Sequence, residues 1–179
     1  MVSKIPLTPV KCNLCGSLKQ EVILSCGSFP LVSCLNCHLC FLSPRPDQKI
    51  IDKLYSQEYF QQNQASVGYT SYNLLHDDLI KEAQQRLTLI KSFITYGRLL
   101  DAGCAFGDFL LQAKKDNFTV TGCDINKQAV AFVRQKHHLV AQVGDIAKGQ
   151  LPQGPFDVIT AWDVIEHMVD PKNSLAAFF

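Results

Sequence analysis

From Leu75 to Ile94 the apolar residues Leu75, Leu79, Ala83, Leu87, Ile90 and Ile94 recur at steps of three and four. Such spacing lines one face of a helix, and Gly97 is expected to end it. Beyond that point the period changes. Apolar stretches at 98–103 ("RLLDAG"), 119–125, 140–146 and 156–162 predict strands, and amphipathic stretches at 108–116 and 127–138 predict helices between the first three. Asn126 is the expected N-cap of the second helix. A last helix is predicted with Asp170 as cap and Pro171 in first position. Strands alternating with helices imply an α/β fold built on a doubly wound parallel sheet. The stretch "FDVITAW" reads as a strand buried on both faces. The chain stops one unfinished helix later, so this strand is expected at an open sheet edge, needing a missing C-terminal segment or another chain to cover it.

The first quarter of the chain has no such period and is marked instead by cysteine. Six of the eight cysteines fall at Cys12, Cys15, Cys26, Cys34, Cys37 and Cys40. Cys12-x-x-Cys15 and Cys34-x-x-Cys37 are separated by 18 residues, a spacing typical of zinc sites. Four thiolates would close a tetrahedral shell, making the metal structural. Zinc would then supply much of the folding free energy of so small a unit. Cys26, His38 and Cys40 read as non-ligands, and the alternative is a set of free thiols packed in a small apolar lobe. Cys104 and Cys123 read as small buried hydrophobes. Two prolines in "SPRPD" make a stiff connector, and Asp47 can cap a short helix, "QKIIDKLY". Residues 56–73 read as a loop or lid. The expected organisation is a cysteine lobe at 1–46, a connector or lid at 47–74, and an α/β domain at 75–179.

Composition narrows the function classes. Hydrophobic content of 47% and charged content of 18% describe a globular chain, and a net charge of +1 supplies no field that draws it to nucleic acid or an anionic membrane. No apolar run is long enough to span a bilayer. The first residues lack a signal-peptide core, so a cytoplasmic location is expected.

The chemistry gathers in "LLDAGCAFGDFL". Gly103, Ala105 and Gly107 alternate through a predicted strand-to-helix turn, where small side chains let a ligand approach the main chain. The dinucleotide pattern G-x-G-x-x-G is absent; the spacing is D-x-G-x-A-x-G. Asp124 ends the second predicted strand, where a carboxylate can accept both hydroxyls of a ribose. Asp145 ends the third, within reach of an adenine amino group. These features suit a nucleoside ligand without a pyrophosphate.

The stretches "LLDAGCAFGDFL", "VTGCDIN", "VGDI" and "FDVITAWDVIEHMVDP", in this order, resemble the successive motifs of class I S-adenosylmethionine-dependent methyltransferases, which have a Rossmann-like core. The resemblance implies S-adenosylmethionine as cofactor. It places the methionine part against Gly103, Ala105 and Gly107, with Asp101 orienting the amino acid end. It puts the ribose on Asp124 beside Ile125, and the adenine at Asp145 and Ile146. Ala105 stands where glycine is common. The segment from Cys34 to Phe60 resembles the N-terminal zinc-binding segment of many bacterial methyltransferases; His38 replaces the usual glycine there, so a different backbone turn is expected. Enzymes of this layout often act on sugars or other small metabolites, which implies a small-molecule acceptor, with a sugar or nucleotide sugar as the candidate.

"WDVIEHM" leaves three readings open. His167 is a general base; or Asp163, Glu166 and His167 hold a divalent metal; or Glu166 and His167 fasten the loop by hydrogen bonds. The third is favoured. Tyr55, Tyr59, Tyr69 and Tyr72 are candidates for lid or substrate contacts, with packing preferred. A rival from another class makes the cysteine lobe a docking module for protein or nucleic acid beside a non-catalytic cofactor-binding domain. The near-neutral charge and the lack of a basic stripe count against nucleic acid.

Overall fold

The computed structural model describes residues 6–27, 29–46, 50, 69–168 and 170–178, without the side chains of Cys26 and residues 69–77. Apart from Ile50, the expected helix "QKIIDKLY" lies outside the described residues, as do the lid up to residue 68 and Tyr55 and Tyr59. Tyr69 and Tyr72 are helical, and their side chains lie outside the description. The chain forms two compact units, 1–68 and 69–179. Among the described residues no helix is long and apolar enough to cross a membrane.

In the first unit, β1 (Leu7–Thr8) pairs antiparallel with β5 (Arg45–Pro46). An antiparallel meander is made by β2 (Gln20–Cys26), β3 (Phe29–Cys34) and β4 (Cys40–Leu42), in that order. Among the described residues of this unit, the buried apolar side chains are Val32, Cys12 and Cys34.

In the second unit the elements run α1 (Tyr69–Lys91), β6 (Gly97–Ala102), α2 (Asp108–Lys115), β7 (Phe118–Asp124), α3 (Lys127–Lys136), β8 (Val140–Val143), β9 (Val158–Thr160) and α4 (Pro171–Ala176). The sheet order is β8-β7-β6-β9 and every pairing is parallel. Leu99 and Val120 join Ala83, Leu87 and Ile90 of α1 and Leu110, Val130 and Val133 of α2 and α3 in the main core. Ala102 packs on the opposite side with Ile146 and Met168. Gly122, within β7, admits the helix layer closely: a Cβ there would lie 2.7 Å from Cys104 Sγ and 2.8 Å from Leu110 Cδ1.

Several boundaries differ from the sequence expectation for physical reasons. Helix α1 begins at Tyr69 and ends at Lys91, so Gly97 does not end it. Gly97 opens β6 instead, at φ 139, beside Asp157, whose Oδ2 accepts from Arg98 N at 2.7 Å. β8 stops at Val143 because Asp145 caps a 3-10 turn, Ile146–Lys148. β9 is three residues long, and its Val158 and Ile159 are half-buried instead of enclosed. It bonds β6 on one side, and among the described residues no strand pairs with its other side. The caps follow the sequence: Asn126 Oδ1 accepts from Gln128 N and Ala129 N, and Asp170 Oδ1 accepts from Asn173 N.

Candidate cofactor site and cysteine cluster

Strand order reverses between β6 and β9, and in open parallel sheets the crevice outside the strands' carboxyl ends at such a point is the usual ligand site. The turn after β6 lies there. Gly103, Ala105 and Gly107 all take left-handed backbone, at φ 88, 45 and 86. Ala105 therefore adopts the conformation that glycine would, at a cost on the order of 1 kcal/mol. Gly103 N and Cys104 N donate to Cys123 O at 2.7 and 3.1 Å, which ties the turn to β7. A Cβ on Gly103 would overlap Val164 Cγ2, so only glycine fits.

Asp124, the last residue of β7, reaches back to the turn. Its Oδ2 accepts from Ala105 N and its Oδ1 from Asn126 N, both at 2.8 Å. Each oxygen keeps a further lone pair for a diol. Burial raises the Asp124 pKa, opposed by these two backbone donors. Ile125 beside it is 52% exposed, an apolar side chain at the site's rim. Asp145 is differently placed. Its Oδ1 accepts from Ala147 N at 3.0 Å and its Oδ2 pairs with Lys148 Nζ at 2.9 Å, so its carboxylate caps the 3-10 turn. Ile146 is buried.

Asp101 is 3% exposed, and its Oδ1 accepts from Thr160 Oγ1 at 2.8 Å across the β6–β9 pair. Burial pushes its pKa up to about 7, against the Thr160 hydrogen bond and the Arg86 charge. The sign follows from proton counting. The native carboxyl holds a proton that the unfolded one releases at about 3.8, so stability falls as pH rises from there to about 7 and is flat above. Asp101→Asn is therefore expected to melt higher than the parent at pH 8. Its advantage should shrink as pH drops from 7 to 5, with an upper bound of about 4 kcal/mol. Thermal melts of both proteins across that range check it.

Glu166 and His167 sit on a 3-10 turn, Ile165–His167, and both are exposed. Among the described residues, the four-cysteine cluster is the one group suited to a metal, so Asp163, Glu166 and His167 do not converge as ligands. Asp163 Oδ2 instead meets Arg86 Nη2 at 2.6 Å. Sequence reasoning missed Arg86 and Thr160. Arg86 forms an i,i+4 pair with Glu82, which reads in sequence as an ordinary solvated face. Thr160 carried one signal, a hydroxyl closing an otherwise apolar strand.

In the first unit the sulfur atoms of Cys12, Cys15, Cys34 and Cys37 all lie within 4.8 Å of one another. A tetrahedral tetrathiolate with bonds of about 2.3 Å has sulfurs about 3.8 Å apart, so the cluster matches the dimensions of such a shell. Two equivalent turns build it. Gly16 N donates to Cys12 O at 2.8 Å, and His38 N donates to Cys34 O at 2.9 Å. Gly16 and His38 take φ 76 and 60. The expectation of a different turn at His38 is thus corrected: the histidine accepts the left-handed conformation in glycine's place. Hydrogen bonding by the Asn36 side chain lowers Cys15 to about 6. Cys37 is pushed up to about 12: a hydrogen bond from the Leu39 backbone lowers it, but burial and the three neighbouring thiols outweigh that. Cys40 is exposed and outside the cluster.

A parallel sheet in 3-2-1-4 order, with a glycine turn after the first strand and an acid after the second, defines a doubly wound α/β domain with its site at the switch point. The chain belongs to the family described as "Methyltransferase domain", whose profile matches residues 47–179. Its fold is similar to that of magnesium protoporphyrin IX methyltransferase from Synechocystis PCC 6803 with bound SAM. The TM-score is 0.54 at 16% identity, over 75% of this chain and 71% of that one. The same enzyme with bound SAH gives 0.53 at 15% identity, over 74% and 66%. A TehB-like SAM-dependent methyltransferase from Corynebacterium glutamicum gives 0.45 at 21%, over 73% and 66%. No curated protein sequence matches the chain.

Proposed function

We propose that the chain is an S-adenosylmethionine-dependent methyltransferase acting on a small-molecule acceptor, with sugars or nucleotide sugars as the candidate class. The observation that carries this reading is Asp124, a carboxylate at the end of β7 that is bonded to the glycine turn's own amide. One side chain thereby links the place for a ribose diol to the place for the cofactor's methionine part. Gly103, Ala105 and Gly107 line the latter, and Asp101 orients its amino end. Ile125 offers apolar contact to the base, whose amino group falls to Asp145 and Ile146. When bound, the cofactor supplies a methyl group already activated by its sulfonium. The chain's own residues then align the acceptor with that methyl and exclude water. A cytoplasmic location goes with this reading.

Zinc at Cys12, Cys15, Cys34 and Cys37 is the second part of the proposal, as a structural ion with no open position. His167 is the remaining candidate base and Glu166 its neighbour. Their exposure favours a peripheral role, so His167→Ala is expected to keep turnover and S-adenosylhomocysteine affinity within about twofold of the parent. A large loss of turnover at retained affinity would assign His167 the base role. The proposal as a whole is tested by calorimetry of the zinc-loaded full chain with S-adenosylhomocysteine. Saturable uptake of one ligand per chain is expected, and no uptake would overturn it.

A further inference from the structure

We infer that Arg86 is a positioning residue, a clamp on α1 that presses the segment Trp162-Asp163-Val164 onto the glycine turn. The segment follows β9 directly, and Asp163 within it sits at φ 53, in the left-handed region. Arg86 meets it twice. Its Nη2 lies 2.6 Å from Asp163 Oδ2, and its Cζ lies 4.9 Å from the centre of the Trp162 ring. Glu82, one turn earlier on α1, accepts from the same Nη2 at 2.6 Å. The result of holding the segment is seen at Val164, whose Cγ2 occupies the space a Gly103 Cβ would need.

The exposures rank the partners. The Arg86 side chain is 19% exposed and that of Asp163 is 73%. A lone pair so exposed is worth little, but here one nitrogen serves two carboxylates while the same planar group covers an aromatic face, a stacking that lysine's ammonium does not reproduce. Trp162 extends the contact by packing edge-to-face on Phe109, at 5.9 Å, in the first turn of α2. Arg86 therefore braces α1, the post-β9 segment and the helix that opens at Gly107. Its effect on cofactor affinity rests on the proposed reading of the glycine turn; the clamp itself does not.

The chain contains one tryptophan, so its fluorescence reports this segment alone. The experiment measures acrylamide quenching of Trp162, thermal melting and S-adenosylhomocysteine affinity in the zinc-loaded full chain, for the parent, Arg86→Ala, Arg86→Lys and Asp163→Asn. Arg86→Ala is expected to raise the quenching constant about twofold as the ring loses its cover, and to weaken S-adenosylhomocysteine about tenfold. Asp163→Asn should move both readings in the same direction, and Arg86→Lys should recover only part of each. Unchanged quenching in folded Arg86→Ala and Asp163→Asn would overturn the clamp. Raised quenching with unaltered affinity would overturn the positioning role. Should the parent itself bind no S-adenosylhomocysteine while the variants quench more, the clamp stands and the cofactor reading falls. If Arg86→Ala fails to fold, Asp163→Asn, altered at an exposed side chain, decides.

Discussion

Asp124→Ala is expected to weaken S-adenosylhomocysteine binding by about 100-fold or more, read by calorimetry against the parent. Two hydrogen bonds from a ribose diol to a charged acceptor are each worth about 1.5–3 kcal/mol, and about 1.4 kcal/mol is a factor of ten. The substitution also frees Ala105 N, which Asp124 holds at 2.8 Å. The floor of the site loosens along with the loss of the sugar's partner. Asp124→Asn separates these effects. Its amide oxygen can still accept from one backbone donor, so it should fall between parent and alanine variant. The fold is expected to survive both changes, because burial already opposes the charge on this carboxyl. A melting temperature within a few degrees of the parent's corresponds to about 1 kcal/mol or less in a chain of this size. Equal affinity in parent and Asp124→Ala would remove the basis for the ribose role.

The second large effect concerns the cysteine cluster. Removing metal with a strong chelator is expected to unfold the first unit and leave the second intact. The reason is the scarcity of buried apolar side chains among the described residues of that unit, set beside apparent zinc contributions of about 10–16 kcal/mol in zinc-finger peptides. Cys34→Ser should act like the chelator, since Cys34 is fully buried and cannot be replaced by water. Elemental analysis should find one zinc per chain in the parent and a large deficit in the variant. Cobalt in place of zinc should give the visible absorption of a tetrahedral thiolate site. A chain that stays folded and metal-free in its first unit would refute the assignment.

How far the sequence was legible depended on how local the determining physics was. Asn126 and Asp170 were readable as caps because a cap acts within three residues. The order of strands and helices was readable because apolar period is a property of short windows. The cysteine pairs were readable because C-x-x-C spacing is local, whereas the left-handed turn that His38 shares with Gly16 was not. The boundaries of α1 and β8 were not. Residues 69–73, from Tyr69 to Asn73, carry no apolar stripe yet continue the helix, and β8 yields to the side-chain cap of Asp145. Arg86, Thr160 and the post-β9 segment were hidden for a different reason. Their partners lie at sequence separations of 77 and 59, and no window contains both ends. Asp145 illustrates the intermediate case: its position at a strand end was evident, but its engagement by Ala147 and Lys148 was not.

The missing Cβ of Gly122 bears on how relatives of this chain should be compared. With Cys104 and Leu110 pressed against it, a side chain at this position would force one of them to shift. An alignment in which this glycine never varied would be explained by steric contact between layers, with no ligand involved. Invariance there would record architecture, and a survey that ranks columns by variability alone would mistake a hinge-less joint between helix and sheet for a chemical determinant.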